Sequence, residues 1–312
     1  MIHVENLTKY YGDFCAVDHI DLDIQKGEVL GLLGPNGAGK STTLRMLTGY
    51  FPPTAGTICV KDLSIDADLL AIKRLIGYLP ESAPLYHDML VYDYLDYVAD
   101  IRGIEKRVKH SRIKQLATLC GLNHIMHNVI SELSRGLKQR VGLAHAMMDD
   151  PEILILDEPT SGLDPNQIVE IRDIIRGIGK EKTVILSTHI LSEAEATCDR
   201  VVVINRGKIV ADGSVDMLRQ ASGNQRFVNL SFRNADYESV KKKLESIDGV
   251  TGIEAIDEKE ADMLSVRLEY VSDVDLRERI YQEIKGSEWV LMALQQETKS
   301  LELIFRELTS EN

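Results

Sequence analysis

Apolar residues in the first two-thirds of the chain fall in short unbroken runs: Val29 to Leu33, Ile153 to Leu156, Thr183 to Ser187 and Val201 to Ile204. Continuous Val, Ile and Leu runs separated by helical stretches predict parallel strands covered on both faces, an α/β sheet. Lys40 to Leu47 follows the first run after a glycine-rich loop and reads as a helix, with Gly49 placed to end it. From Ser82 to Ser131 the pattern turns helical, rich in aromatic and charged residues, which predicts an inserted helical subdomain. One more short helix after Asp212-Gly213 closes the first domain near Gln220, and Ala221-Ser222-Gly223-Asn224 has linker composition.

Beyond the linker the period changes. Val228, Leu230 and Phe232 alternate with other residues, as do Leu264, Val266, Leu268 and Tyr270, which predicts strands with one covered face. Val240, Leu244 and Ile247 have helical spacing, and so do Leu276, Ile280 and Ile284. The expected order from Phe227 to about Ala293 is strand-helix-strand-strand-helix-strand, a small α+β domain of ferredoxin-like type. A final helix would carry Leu301, Ile304, Phe305 and Leu308. Domains are therefore expected at 1–220, with the helical subdomain at about 82–135, and at 225–312.

Charge narrows the function. A net charge of −13 disfavours broad contact with nucleic acid, whose phosphates demand clustered Lys and Arg. The local exception is Arg102 to Lys114, where Lys106, Arg107, Lys109 and Arg112 also fall and Glu105 is the single acid; it suits an anionic lipid or acidic partner, or a solvated helix face. No run approaches the ~20 apolar residues that cross a bilayer, and MIHVENLTKY lacks the pattern of a secretory signal, so a cytosolic location is expected. Cys15, Cys59, Cys120 and Cys198 are too scattered for a metal or disulfide framework and are expected as reduced thiols, mostly in the core.

The chemistry begins in the glycine-rich loop. Gly34-Pro35-Asn36-Gly37-Ala38-Gly39-Lys40-Ser41-Thr42 fits the phosphate-loop pattern GxxxxGK[ST] between a strand and a helix. Its glycines let successive N–H groups point at phosphate oxygens, with the helix dipole behind them. Lys40 would neutralise the β- and γ-phosphates of ATP while Ser41 ligates Mg²⁺. The run Ile153 to Leu156 ends in two acids: Asp157 is assigned to the metal and Glu158 to orienting or deprotonating the attacking water. Ser134 is placed to cap a helix whose stripe is Leu137, Val141, Ala144 and Met148.

Leu133-Ser134-Arg135-Gly136-Leu137-Lys138-Gln139-Arg140, upstream of that acidic strand, resembles the LSGGQ signature of the ABC (ATP-binding cassette) ATPases. The order and spacing of other segments agree over about residues 1–220. Tyr11 resembles the aromatic that stacks on adenine, with Tyr10 as its rival; Ser161-Gly162-Leu163-Asp164 resembles the D-loop; His189 resembles the switch histidine that reaches the γ-phosphate. The resemblance implies a P-loop NTPase core with a mostly parallel sheet, an antiparallel β subdomain and the helical insert. It also implies a homodimer or paired ATPase subunit, head to tail, in which Ser134 and Gly136 of one copy close on ATP held by the other, with Asp164 among the nucleotide-binding residues.

Two departures stand out. Glu81 follows Gly77-Tyr78-Leu79-Pro80 where the family usually has Gln; it can accept water or ligate Mg²⁺, but its charge repels phosphate unless a metal screens it. Arg135 and Lys138 replace uncharged signature residues and would bring two cations near the second nucleotide surface, or point to solvent. The implied function is the ATP-hydrolysing subunit of a transporter, at the cytoplasmic side of the cell membrane and driving a membrane-spanning permease. Leu85, Tyr86, Met89, Leu90 and Tyr92 are candidates for the groove that receives it, with subdomain core as the competing reading. Ser300 to Thr309 resembles the tail of bacterial exporter ATPases. The alternative is a soluble ABC-type ATPase in a cytosolic assembly.

Overall fold

The computed structural model describes residues 1–217, 225–256, 263–271 and 275–298. The chain divides into two compact units, Met1–Val215 and Asp216–Asn312.

The first unit is built on a six-stranded sheet. Its strands are β3 (Val29–Leu33), β6 (Ile76–Leu79), β7 (Ile153–Leu156), β8 (Thr183–Thr188), β9 (Arg200–Asn205) and β10 (Lys208–Gly213), in the order β10-β9-β3-β8-β7-β6. All pairings are parallel except β9–β10. Every residue of β3, β7 and β8 is buried, because alternate side chains enter different cores. Leu154 and Leu156 pack with the helical insert, whereas Ile153 and Ile155 pack with the antiparallel sheet and the first helix. That division explains the unbroken apolar runs.

The antiparallel sheet has the order β2-β1-β4-β5, from β1 (Ile2–Tyr11), β2 (Phe14–Ile24), β4 (Ala55–Val60) and β5 (Leu63–Ser64). Between the sheets' strands lie α1 (Lys40–Leu47) and α2 (Leu69–Leu75). The insert holds α3 (Val91–Ile101) and α4 (Lys106–Leu119), and then α5 (Arg135–Ala146) leads back to β7. Helix α3 buries Val91, Tyr94, Leu95, Val98 and Ala99, a single helical face. Helix α6 (Pro165–Gly179) precedes β8, and α7 (Leu191–Thr197) follows it.

Two cations of the basic stretch are paired with other elements of the same unit. Lys109 meets Asp96 at 2.7 Å and Asp100 at 2.8 Å, and Arg112 donates to the carbonyls of Met147 and Met148 and to Asp150. Of the groove candidates, Leu85 is buried, Met89 and Tyr92 pack against the core, and Tyr86 is exposed. The cysteine expectation holds in part: all four are free thiols, Cys120 is buried in the core and Cys198 packs against it, whereas Cys15 and Cys59 are only half-buried. Cys15 and Cys59 lie on strands of the antiparallel sheet, which has a wetted face.

The second unit is a four-stranded antiparallel sheet of β11 (Gln225–Arg233), β12 (Val250–Ile256), β13 (Met263–Val271) and β14 (Val290–Thr298), ordered β12-β13-β11-β14. Helices α8 (Tyr237–Leu244) and α9 (Arg277–Ile284) follow the first and third strands. Val228, Leu230 and Phe232 pack with Val266, Leu268 and Tyr270 beneath Val240, Leu244, Ile280 and Ile284. The expected linker at 221–224 and closing helix around 301–308 lie outside the described residues. Among those described, no helix is long and apolar enough to cross a membrane.

Candidate nucleotide-binding and catalytic site

Strand β3 runs buried to Leu33 and releases the chain into the loop before α1. Two glycines make its curvature possible. A Cβ on Gly34 would run into the Ile204 carbonyl, and Gly39, at φ +108°, would place one 2.5 Å from the Ala16 carbonyl. Gly37, at φ +80°, instead faces open space. The loop borders a cleft of about 440 Å³ whose other walls include Tyr11, Phe14, Glu81, Ser161, Glu158 and His189.

Lys40 opens α1 and is only 5% exposed. Its ammonium donates to the Gly34 carbonyl at 2.8 Å and the Pro35 carbonyl at 3.2 Å, and stands 3.3 Å from Glu158 Oε1. The charge thus sits at the floor of the loop, where phosphate oxygens would compete with these carbonyls.

Asp157, at the end of β7, is 1% exposed. Its Oδ1 accepts from Ser41 Oγ at 2.8 Å and from Ser187 Oγ at 2.7 Å. Its Oδ2 is buried without a hydrogen-bond partner. An unpartnered buried carboxylate oxygen costs about 1–3 kcal/mol or more, and a divalent cation beside it removes that cost. Among the described residues no three His, Cys, Asp or Glu side chains cluster as a metal cage. Ser41 and Asp157 offer oxygen donors, one of them the unpartnered Oδ2, and hard cations such as Mg²⁺ take oxygen donors.

Glu158 follows at φ +48°, the left-handed region that a residue with a Cβ enters at a cost of about 1–3 kcal/mol. The turn is held by its own amide, which donates to Ser187 Oγ at 2.8 Å. It aims the carboxylate into the cleft, where Oε2 lies 2.8 Å from His189 Nδ1. A carboxylate accepts from Nδ1–H, which leaves Nε2 of the half-exposed imidazole toward the cleft. Lys40, Glu158 and His189 thus form one chain of contacts over a buried Asp157.

Of the two tyrosines, Tyr11 lines the cleft and Tyr10 does not; Cys15, its partner across the hairpin, raises the Tyr10 pKa. The Tyr11 ring stands edge-on to Phe51 at 6.3 Å and lies 5.6 Å from Lys9 Nζ. Asn36, Gly37, Ala38, Gly39, Ser41, Thr42 and Glu81 also line the cleft, while Gly34 and Pro35 serve it through their carbonyls.

Three predicted residues lie elsewhere. Ser134 caps α5, accepting from the Leu137 amide at 3.3 Å, and Asp164 caps α6, accepting from the Gln167 amide at 3.0 Å. Gly136 is buried where a Cβ would meet the Gln167 side chain at 2.6 Å. Of the two signature cations, Lys138 turns back to the Ser131 carbonyl at 3.0 Å, and the Arg135 guanidinium lies against Gly162.

Sequence reasoning missed Phe14, Ser187 and a second concavity. Phe14 pairs with Tyr11 across the β1–β2 hairpin, a relation that the hairpin register alone would have signalled. The second concavity, about 540 Å³, adjoins Glu81 through Pro80 and includes Arg45, Tyr78, Pro84, Arg102 and His145. There the Tyr94 hydroxyl donates to the Pro84 carbonyl at 3.0 Å and lies 2.7 Å from His145 Nδ1. Burial, aided by Arg102, pushes the His145 pKa down to about 4.

The chain is similar to known proteins in sequence and in fold. The family model described as ABC transporter matches residues 17–161. The chain is 38% identical over 246 residues to the uncharacterized ABC transporter ATP-binding protein YxlF of Bacillus subtilis, covering 78% of each. It is 38% identical over 236 residues to the bacitracin transport ATP-binding protein BcrA of Bacillus licheniformis, covering 75% of this chain and 76% of that one. A solved structure of an ATP-binding subunit of an ABC transporter superposes with a TM-score of 0.64 at 29% identity, over 71% of this chain and 93% of the other. By these likenesses, and with a phosphate loop and the Glu158–His189 pair bordering one cleft above the buried Asp157, the chain belongs to the ABC transporter family as an ATP-binding subunit, and it is an ATPase.

Proposed function

We propose that this chain is the motor of a membrane transporter, and that two copies, or this chain and a paired ATPase subunit, enclose ATP between them. The observation that carries the reading is the division of the predicted site. Tyr11, the phosphate loop, Glu81, Glu158 and His189 border one cleft, whereas Ser134 and Gly136 begin a helix outside it. An exposed, capped helix start with a neighbouring arginine is half of an anion site, and a second copy supplies the other half.

In this reading Tyr11 stacks on adenine, the loop amides and Lys40 hold the phosphates, and Glu158 orients the attacking water. His189 Nε2 reaches the γ-phosphate while its Nδ1–H stays on Glu158. Ser41 and Asp157, with Glu81 beside them, would hold Mg²⁺, which when bound screens phosphate charge and the carboxylates that face it. Loss of the γ-phosphate weakens the attraction between the copies and opens the pair. The concavity beside Glu81 lies between α1, β6 and the insert, which suits a segment of a membrane-spanning permease at the cytoplasmic face of the membrane. Outward transport is supported by the sequence of Ser300 to Thr309.

The test is affinity capture of the tagged chain from detergent-solubilised membranes. A polytopic membrane protein should copurify in stoichiometric amount. An active ATPase recovered without one would redirect the reading to a cytosolic assembly.

A further inference from the structure

Strand β8 sends alternate side chains to opposite faces, and at its end two adjacent hydroxyls take separate partners. Ser187 turns to Asp157 and the Glu158 amide. Thr188, the residue before His189, is buried and turns the other way. Its hydroxyl donates to Glu193 Oε2 at 3.0 Å and accepts from the Ile190 amide at 3.0 Å. The same carboxylate oxygen accepts from the Thr160 hydroxyl at 2.6 Å. One carboxylate on α7 therefore clasps both the segment leaving Glu158 and the segment entering His189, from the side away from the cleft.

The other oxygen, Glu193 Oε1, is buried and without a hydrogen-bond partner, as is Arg172 Nε of α6. Both side chains line one cavity of about 160 Å³, with Pro159, Ile175 and Leu186 among its walls. A cavity of that size with a donor and an acceptor facing it suits bridging water. Such a bridge would extend the clasp to α6, the helix that Asp164 caps.

We propose that Glu193 is a positioning residue of the ATPase site. It touches no substrate; it holds Glu158 and His189 at the spacing where Nδ1 meets Oε2 at 2.8 Å. This rests on the roles given to Glu158 and His189 above. A purely structural role would lower folding, binding and turnover together, whereas positioning lowers turnover and spares nucleotide affinity.

The experiment is steady-state MgATP hydrolysis by the full-length chain, with KM and kcat separated, for Glu193→Ala, Glu193→Gln and Thr160→Val. Glu193→Ala should lose roughly 10- to 100-fold in kcat with KM for ATP within about threefold of wild type. Glu193→Gln keeps an acceptor for both threonines and should retain at least about a third of kcat. Thr160→Val deletes one donor at nearly constant shape, so it reports even if the alanine variant does not fold; a loss of roughly 3- to 10-fold in kcat is expected. Unchanged kcat in Thr160→Val, or in a folded Glu193→Ala, overturns the proposal, as does a joint failure of kcat and KM. Glu158→Gln, assayed in parallel, separates the two levels. Normal turnover there refutes the role of Glu158 and the positioning role with it, whereas a dead Glu158→Gln beside an active Glu193→Ala refutes positioning alone.

Discussion

Replacing Ser187 by Ala should damage the site from beneath without touching nucleotide. The hydroxyl is fully buried, donates to Asp157 Oδ1 at 2.7 Å and accepts from the Glu158 amide at 2.8 Å. Its loss removes a hydrogen bond to a carboxylate, about 1.5–3 kcal/mol, and strands a buried N–H, about 1–3 kcal/mol. The sum is about 2.5–6 kcal/mol, and at roughly 2–4 °C per kcal/mol for a unit of this size the melting temperature should fall by at least about 5 °C. The stranded amide belongs to Glu158, whose φ of +48° then loses its tether, so turnover should fall by more than about tenfold. Thermal unfolding followed by circular dichroism and a coupled MgATPase assay read the two effects. A melting temperature within about 2 °C of wild type, with unchanged turnover, would refute the reasoning.

Two glycines of the phosphate loop should fail differently. Gly34→Ala drives a methyl into the Ile204 backbone and should destabilise the fold by several kcal/mol, seen as a lowered denaturant midpoint; Gly37→Ala meets no atom and should cost about 1 kcal/mol for its positive φ while weakening ATP binding measured by calorimetry. Equal loss of stability in both would contradict the geometry. His145 gives a pH prediction. Its folded pKa of about 4 lies below its ordinary value, so the unfolded chain binds more protons between pH 4 and about 6.5. Its contribution, at most about 3 kcal/mol, is complete above about pH 6.5 and is lost as pH falls toward 4. Chemical denaturation across that range should show wild type losing stability relative to His145→Gln, and a pH-independent difference would refute it.

The parallel strands were legible because each is covered on both faces and so leaves an unbroken apolar run. The antiparallel sheet was not legible from pattern, since β1 carries register shifts between Val4 and Tyr10, with Asn6 at φ +49°, and the alternation of its side chains breaks there. Its presence came from the family resemblance. The phosphate loop was legible because backbone geometry demands those glycines at that spacing. Ser187 and Glu193 were not, because a serine in a strand and a glutamate on a helix look alike whether solvated or bonded to residues far along the chain. The same blindness affected Lys109 and Arg112, whose acidic partners come from α3 and from Asp150 rather than from their own stretch.

The most direct test of the paired-site account is the molecular mass of Glu158→Gln at high protein concentration, with MgATP and with MgADP, by light scattering after size exclusion. The account predicts a dimer that retains ATP and reverts to monomer with ADP. A chain that stays monomeric with MgATP while binding it in the cleft would contradict the pairing.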